Sequence, residues 1–594
     1  MLAEACAPSP YAFAVDSSFS GRNWRLQRRH PDASRALARS ANLSPLLCDL
    51  LLARGIGANE VADYLNPTLK RLLPEPLLLS DMYKAVERTR AAIEQGERIA
   101  IFGDYDVDGS CASALLCEFL TAVGQPPRIY IPDRMTEGYG PNAAAMLKLK
   151  EEGASLVITA DCGATANAAM SAAREAGLDV IVLDHHAVET PVPVLAHVNP
   201  NQPSDTSGLN HLCATGVAFM FVVALNRSLR ASGWYTANGI VEPDLREHLD
   251  LVALATVCDV MPLIGINRAF VRMGLARLSQ LARSGFAALA QIANVTPPCT
   301  PYHLGFVFGP RINAGGRVGR CSLGVELLTA KGDASALAQA LDVHNKERRT
   351  LESSILDEAM ALASLQIDRS ILLVEGEAWH SGVVGIIAGR VKDRFHKPTF
   401  AIGFEGEVGR GSARSVKGFD IGAIVRAARE EGILETGGGH AMAAGVSLRR
   451  DKLEAFREFL AAHGATAQTY SAAAKQLPVD AIASCAGSTP ALIDEMARLG
   501  PFGAGNAEPL LALPHVRVAF AEVVGRDHVR LQLQGGDGAR LEAIAFRAAS
   551  APLGQGLMAS RGKGVHAAGY LRADDWNGRR RVRLQVEDAA PAGL

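Results

Sequence analysis

Between residues 99 and 200, four short β-branched runs (99–102, 129–131, 156–159 and 180–183) alternate with helical patterns at 110–123, 142–152 and 166–176. Parallel strands need crossover connections of a dozen residues or more, which helices supply. The alternation therefore predicts a mostly parallel sheet covered by helices. In such sheets ligands bind beyond the carboxyl ends of the strands. Three of the runs end at that edge in polar clusters: Gly103-Asp104-Tyr105-Asp106-Val107-Asp108-Gly109, Asp161-Cys162-Gly163 and Asp184-His185-His186.

The remaining chain divides by pattern. With 594 residues, 48% of them hydrophobic, about three to five domains are expected. Residues 1–75 form a basic, leucine-rich lead-in, with Arg22, Arg25, Arg28, Arg29, Arg35 and Arg39 and apolar residues at helical spacing around 43–65. They read as a small helical cap with a solvated face rather than a dedicated DNA site. The first α/β lobe occupies 76–334. Residues 335–366 read as one long charged connecting helix, with Leu337, Leu341, Leu351 and Ile355 among its apolar positions. A second α/β lobe, 367–468, has a strand at 371–374, a helix at 382–394 and the Gly-rich Thr436-Gly437-Gly438-Gly439-His440. After a polar stretch at 471–475, the segment 469–594 turns to strand patterning at 516–524, 529–534, 541–546, 565–571 and 581–586, with Asn577-Gly578 as a hairpin turn. Five short strands suggest a small barrel of the oligonucleotide-binding (OB) kind.

Charge limits the function classes. Sixty Lys and Arg face 62 Asp and Glu, a net charge of −2, so any nucleic-acid surface must be local. In the barrel Phe546, Tyr570 and Trp576 with Arg526, Arg530, Arg547 and Arg572 are candidates for such a track, each aromatic being as good a core residue as a platform. Ten scattered cysteines contain no CxxC pair, which argues against a zinc ribbon or a secreted disulfide frame and for a reducing cytoplasm. The N-terminus shows no basic n-region and has Pro8 and Pro10, and the apolar stretches 213–225 and 251–266 are too short or are broken by Asp259. A soluble protein that is neither exported nor membrane-bound is expected.

An Asp-x-Asp-Gly turn or a His-His pair alone carries little information, since Asp and Gly are good turn formers. Convergence carries more. Asp106, Asp108, Asp161, Asp184, His185 and His186 fall at one sheet edge, where that much negative charge repels itself unless cations neutralise it. A fourth element, the apolar helix or strand 251–262, delivers a single carboxylate, Asp259, and a charge in such a run is usually paired or metal-bound. Carboxylates and imidazoles without thiolates favour Mn²⁺ or Mg²⁺, the histidines tilting toward Mn²⁺. Two metals about 4 Å apart suit in-line attack of hydroxide on a phosphorus ester.

These residues resemble the DHH phosphoesterase superfamily and, within it, the RecJ family of single-strand-specific 5′ to 3′ DNA exonucleases, over essentially the whole chain. The markers are the segments 103–110 and 184–186, Gly309-Pro310-Arg311-Ile312-Asn313-Ala314-Gly315-Gly316-Arg317, 322–328, Trp379-His380-Ser381-Gly382, 438–445 and Pro501-Phe502-Gly503-Ala504-Gly505-Asn506. The resemblance implies a two-metal site held by Asp106, Asp108, Asp161, His185 and Asp259, with Asp161 as bridge. It places His186 on the substrate phosphate or in a metal shell, and Asp184 behind it as an orienting carboxylate. Asp104 shares strand parity with Asp106 and Asp108 and joins the catalytic set, as a ligand either directly or through water. Arg311, Asn313, Arg317, Ser412, Arg414 and His440 are implied to bind substrate, including its 5′ end. Trp379 and His380 are either a core pair or substrate contacts. Implied partners are single-stranded DNA, a single-strand DNA-binding protein and a helicase, with the chain a monomer. The alternative is a DHH phosphodiesterase acting on short oligonucleotides or cyclic dinucleotides. Two departures stand out: Gly315, where the family usually has Ala, with Gly319 and Arg320 where acidic residues are common, and an extra segment at 232–248.

Overall fold

The computed structural model describes residues 12–27, 30–134, 136–138, 140–188, 190–464, 475–576 and 579–592. Arg28, Arg29, most of the 471–475 stretch, the Asn577-Gly578 turn and the Trp576 side chain lie outside the described residues and side chains. By packing, the chain forms two units: Asn66–Leu351 with Pro501–Ala507, and Met1–Leu65 with Glu352–Gly500 and Glu508–Leu594. The first strand, β1 (Asn23–Leu26), belongs to the second of these.

The first unit is built on a parallel five-stranded sheet of β2 (Ile99–Gly103), β3 (Arg128–Tyr130), β4 (Leu156–Ala160), β5 (Asp179–Leu183) and β6 (Ala196–Val198), in the order β3-β2-β4-β5-β6. Side chains alternate across it. Ile99, Ile101 and Ile158 join one apolar core with Leu115 and Phe119, while Ala100, Phe102 and Val157 join another with Met146 and Met170. Strands β2 and β4 are buried throughout, which explains why they read as continuous apolar runs. The apolar segment ahead of Asp259 is a helix, Leu249–Cys258. The extra segment forms the short helix Trp234–Asn238 and the turn Leu245–His248, placing His248 Nδ1 3.0 Å from Glu118.

In the second unit, β7 (Leu372–Glu377), β8 (Thr399–Glu405), β9 (Val408–Arg414), β10 (Thr436–His440) and β11 (Ala443–Arg449) make a mixed sheet in the order β10-β11-β9-β8-β7. The long helix Ser335–Ser364 leads into it. Trp379 resolves as packing: it is buried, and its indole N–H donates to Glu358 on that helix at 2.9 Å. His380 accepts the Gly382 N–H through Nδ1.

The C-terminal strands are β12 (Gln476–Val479), β13 (Ala481–Ile482), β14 (Leu511–Val524), β15 (His528–Gln534), β16 (Arg540–Ala545), β17 (Gly564–Trp576) and β18 (Arg579–Pro591). Pairing runs β14-β15-β16-β18-β17 and back to β14, closing a five-stranded barrel of the OB type, with β13 added beside β14. The lead-in is more than a helical cap. Its helices are present, but β1 pairs in parallel with β12, and fully buried Trp24 donates its indole N–H to Asp588 of β18 at 2.9 Å. A four-residue strand amid arginines offers too little periodicity to be read from sequence.

Candidate active site

Strand β2 ends at Gly103, and Asp106 caps the helix Val107–Ala122, accepting the Gly109 N–H at 3.0 Å. The parity argument for Asp104, Asp106 and Asp108 therefore fails, because Asp108 stands in the first helical turn rather than on a strand. The turn itself brings the three carboxylates together. Gly109 is needed there, since a Cβ would lie 2.5 Å from the Asp104 carbonyl oxygen.

The seven expected catalytic residues form one cluster. Ligand-type atoms of Asp104, Asp106 and Asp161, of Asp108, His185 and Asp259, and of Asp161, His185 and His186 lie within 4.8 Å of one another in each trio. His185 Nε2 sits 3.4 Å from Asp161, 3.5 Å from Asp259 and 3.9 Å from Asp108. Donors each about 2.1 Å from a shared cation stand about 3–4 Å apart, so these spacings suit an ion between them. Buried Asp104 Oδ1 and Asp259 Oδ2 have no hydrogen-bond donor among the described residues. Burial, and then the neighbouring carboxylates, push Asp104, Asp106 and Asp161 above the usual carboxylate range and Asp259 to about 8. Without cations the cluster cannot carry its full charge, and the donor set fits Mn²⁺ or Mg²⁺.

The surroundings hold individual carboxylates in place. Asp108 accepts the N–H groups of Ala214 and Thr215 at 2.7 and 2.8 Å and the Thr215 hydroxyl at 2.6 Å, at the N-terminus of the helix Ala214–Ala231. Asp184 accepts the His185 and His186 N–H groups and the His186 ring at 2.7 Å. Burial opposes its charge, but the hydrogen bond and charge of His186 outweigh that and hold it well below the usual range. His186 in turn is lifted to about 9, against its burial, chiefly by Asp184. Asn199 and Asn201, just after β6, donate to the carbonyls of His186 and His185 and fix this turn. Thr215, Asn199 and Asn201 were not singled out by sequence, although Asn199-Pro200-Asn201 sits at the strand-end edge where polar residues gather. Asp161 (φ 64°) and Val260 (φ 57°), which follows Asp259, adopt left-handed backbone, unusual above all for a β-branched residue. The segment Pro501–Ala507 packs there, its Ala504 carbonyl accepting the Leu263 N–H at 2.7 Å.

The expected substrate residues fall into two groups. Arg311, Asn313 and Arg317 lie on the helix Gly309–Val318 of the first unit. Arg311 donates to Asp342 on the long helix at 2.9 Å and to the Val307 carbonyl, whereas Asn313 Oδ1 accepts the Val107 N–H at 3.0 Å and so supports the carboxylate turn. Ser412, Arg414 and His440 lie in the second unit. Ser412 and Arg414 share one face of β9, and Arg414 donates to the Ser412 hydroxyl at 2.9 Å. Among the described residues no carboxylate pairs with Arg414, and burial pushes its pKa down. A Cβ on Gly385, in the first turn of the helix Val384–Phe395, would lie 3.1 Å from both Arg414 Nη2 and Ser412 Oγ. His440 ends β10, exposed. On the barrel Phe546 is exposed against His528, whereas Tyr570 packs on the core beneath Arg572, which is paired with Glu508.

Three family descriptions match in chain order: DHH family, N-terminal domain, at residues 98–256; DHHA1 domain at 368–463; and RecJ OB domain at 479–588. The single-stranded-DNA-specific exonuclease RecJ of Escherichia coli (strain K12) is 34% identical over 588 residues, covering 96% of this chain and 99% of that protein. Among solved structures, RecJ of Thermus thermophilus in complex with Mn²⁺ superposes with a TM-score of 0.78 at 28% identity, over 96% of this chain and 80% of that one. The same protein in complex with Mg²⁺ gives 0.73 at 26% identity, over 96% and 79%. An identity that runs through the sheet-edge cluster, the second lobe and the closed barrel alike means that the chain belongs to the RecJ family of DHH proteins.

Proposed function

We propose that the protein is a metal-dependent exonuclease that degrades single-stranded DNA from its 5′ end, in DNA recombination and repair. The observation that carries this reading is the convergence of Asp104, Asp106, Asp108, Asp161, His185, His186 and Asp259 into one cluster, partly open to solvent, whose charge calls for cations. The names of the relatives and the closed OB-type barrel support single-stranded DNA as substrate over a dinucleotide, so the phosphodiesterase alternative is not favoured.

Asp106, Asp108, Asp161, His185 and Asp259 would hold the ions, Asp161 and His185 each belonging to two of the trios. Bound Mn²⁺ or Mg²⁺ supplies Lewis-acid charge at the phosphodiester and makes water a usable nucleophile near neutral pH. Asp184 bonds the His186 ring at 2.7 Å and so fixes the orientation of the imidazole at the edge of the cluster, where a substrate phosphate would lie. Asp108, locked by the helix at Ala214, keeps its carboxylate aimed without rearrangement. Ser412, Arg414 and the amides opening the helix at Val384 make a cradle for a terminal 5′ phosphate, with Gly385 leaving it room. Action as a monomer is part of this reading, and the nine cysteines among the described residues are free, which suits a reducing cytoplasm. Among the described residues no single helix is long and apolar enough to cross a membrane. A single-strand DNA-binding protein and a helicase are the proposed protein partners.

Digestion of a 5′-labelled and a 3′-labelled single strand with Mn²⁺, and again with chelator, tests the reading. Label should leave the 5′-labelled strand first, and only with metal. Asp161→Ala should abolish hydrolysis while leaving the melting temperature near that of the parent. Activity within about tenfold, a loss of only ~1.4 kcal/mol of barrier, would sink the assignment.

A further inference from the structure

One exposed, stacked aromatic pair in the first unit belongs to none of the residues above. Tyr302 and Phe306, four residues apart, are 62% and 69% exposed, and their rings stack with centroids 5.2 Å apart and planes at 23°. Large apolar side chains left in water cost free energy that a purely structural role would recover by burying them, so a stacked pair held outward implies something to cover it.

The placement of the pair says what. Phe306 lies within a wide π-helical turn, His303–Phe308, a local geometry with poorer hydrogen bonds that recurs at functional sites. That turn is fastened to the helix bearing Asp259: Cys258 Sγ donates to the Leu304 carbonyl at 3.4 Å. It runs directly into the helix Gly309–Val318, whose Asn313 grips the carboxylate turn at Val107. On the far side of Asp259, Val260 is held at positive φ and left 69% exposed. The ledge is thus continuous in the fold, through two bonded elements, with the segments that carry Asp259 and Val107.

We propose that Tyr302 and Phe306 form a stacking ledge for the bases of the single strand, beside the turn that carries Asp259; this rests on the reading of the protein as a single-strand nuclease. The occupant follows from that continuity. A strand whose phosphates lie at the metal-binding cluster must put its bases on adjacent surface, and unpaired bases offer flat apolar faces of every sequence to an aromatic pair. A duplex would hide those faces inside its own stack, so the ledge also favours unpaired over paired ends.

The test is equilibrium binding of a labelled oligothymidylate to the full chain in chelator, where hydrolysis does not intervene, set beside an otherwise identical strand carrying abasic sites. Phe306→Ala and Tyr302→Ala should each weaken binding of the base-bearing strand about 5- to 100-fold. Binding of the abasic strand, already weak to the parent protein, should barely change. Phe306→Tyr should retain affinity, while Phe306→Leu, which keeps the bulk but not the π face, should lose most of it. Unchanged affinity in the alanine variants would overturn the proposal and leave the ledge to a protein partner. Equal losses on both strands would overturn it too, since the rings would then only shape the fold. Base-dependent binding without metal-dependent cutting would instead keep the ledge and refute the nuclease reading.

Discussion

A single guanidinium offers the sharpest test of strand polarity. Arg414 faces no carboxylate among the described residues, shares a hydrogen bond with Ser412 and borders the space left by Gly385. A half-buried guanidinium lacking an anion is poorly solvated, and a terminal phosphate dianion is the partner that the adjoining helix amides also favour. Arg414→Ala should therefore cost more on a 5′-phosphorylated strand than on a 5′-hydroxyl one. A charge-assisted contact of roughly 1.5–3 kcal/mol implies that the preference in kcat/KM shrinks by about one to two orders of magnitude. Equal losses on both ends would mean that Arg414 neutralises an internal phosphate only. At this scale residue identities were legible from sequence but their duties less so. The resemblance assigns Arg311 and Asn313 to the substrate, and the fold adds hydrogen bonds between them and Asp342, Val307 and Val107. No local pattern reveals a partner that folding alone brings near.

Among the elements, strand β17 contains a group whose protonation bears on the barrel. His566 is buried, stacks on Phe13 at 5.3 Å, meets the His515 ring at 4.5 Å and accepts the His515 N–H through Nδ1. Burial, and then His515, push its pKa down to about 4, below the ordinary histidine value near 6.5. Between those values the unfolded chain binds a proton that the folded barrel refuses. Its contribution to stability is full above about pH 6.5 and is lost as the pH falls through 4. The barrel's melting temperature should fall across that window, and His566→Gln, which cannot titrate, should flatten the fall. An unchanged slope in the variant would assign the pH dependence to other groups. Element positions were read well in the short β-branched runs of β2 and β4 and in the long helix Ser335–Ser364. The segment ahead of Asp259 could be read as helix or strand, because an element buried on every side shows no period.

At the scale of the whole molecule, the second unit contains both the start of the described chain and its end. Trp24 sits in a core with Leu477, Val479, Ala568 and Ala590, its N–H on Asp588, while Arg22 reaches Glu587 and Asp588. The N-terminal segment therefore acts as a clasp on the barrel. Trp24→Ala should destabilise the barrel by roughly 3–5 kcal/mol, the usual cost of emptying so large a buried site. Denaturant unfolding of the full chain checks this, with Trp24→Phe losing less because it keeps most of the volume. Equal stability of parent and Trp24→Ala would show that the clasp is incidental.

Sequence alone determined the layered sheet, the edge where its polar clusters gather, the chemistry of the cations and the run of strands that becomes the barrel. Each follows from local periodicity or side-chain type, which short stretches of chain already contain. Tertiary structure alone decided that a helix starting at Ala214 would lock Asp108, that Asn199 and Asn201 would fix the His185-His186 turn, that Asp104, Asp106 and Asp108 would meet through a cap and a turn rather than along a strand, and that β1 would find β12. Those pairings join residues far apart in sequence, and their energy is gained only when burial leaves each polar group a single remaining partner.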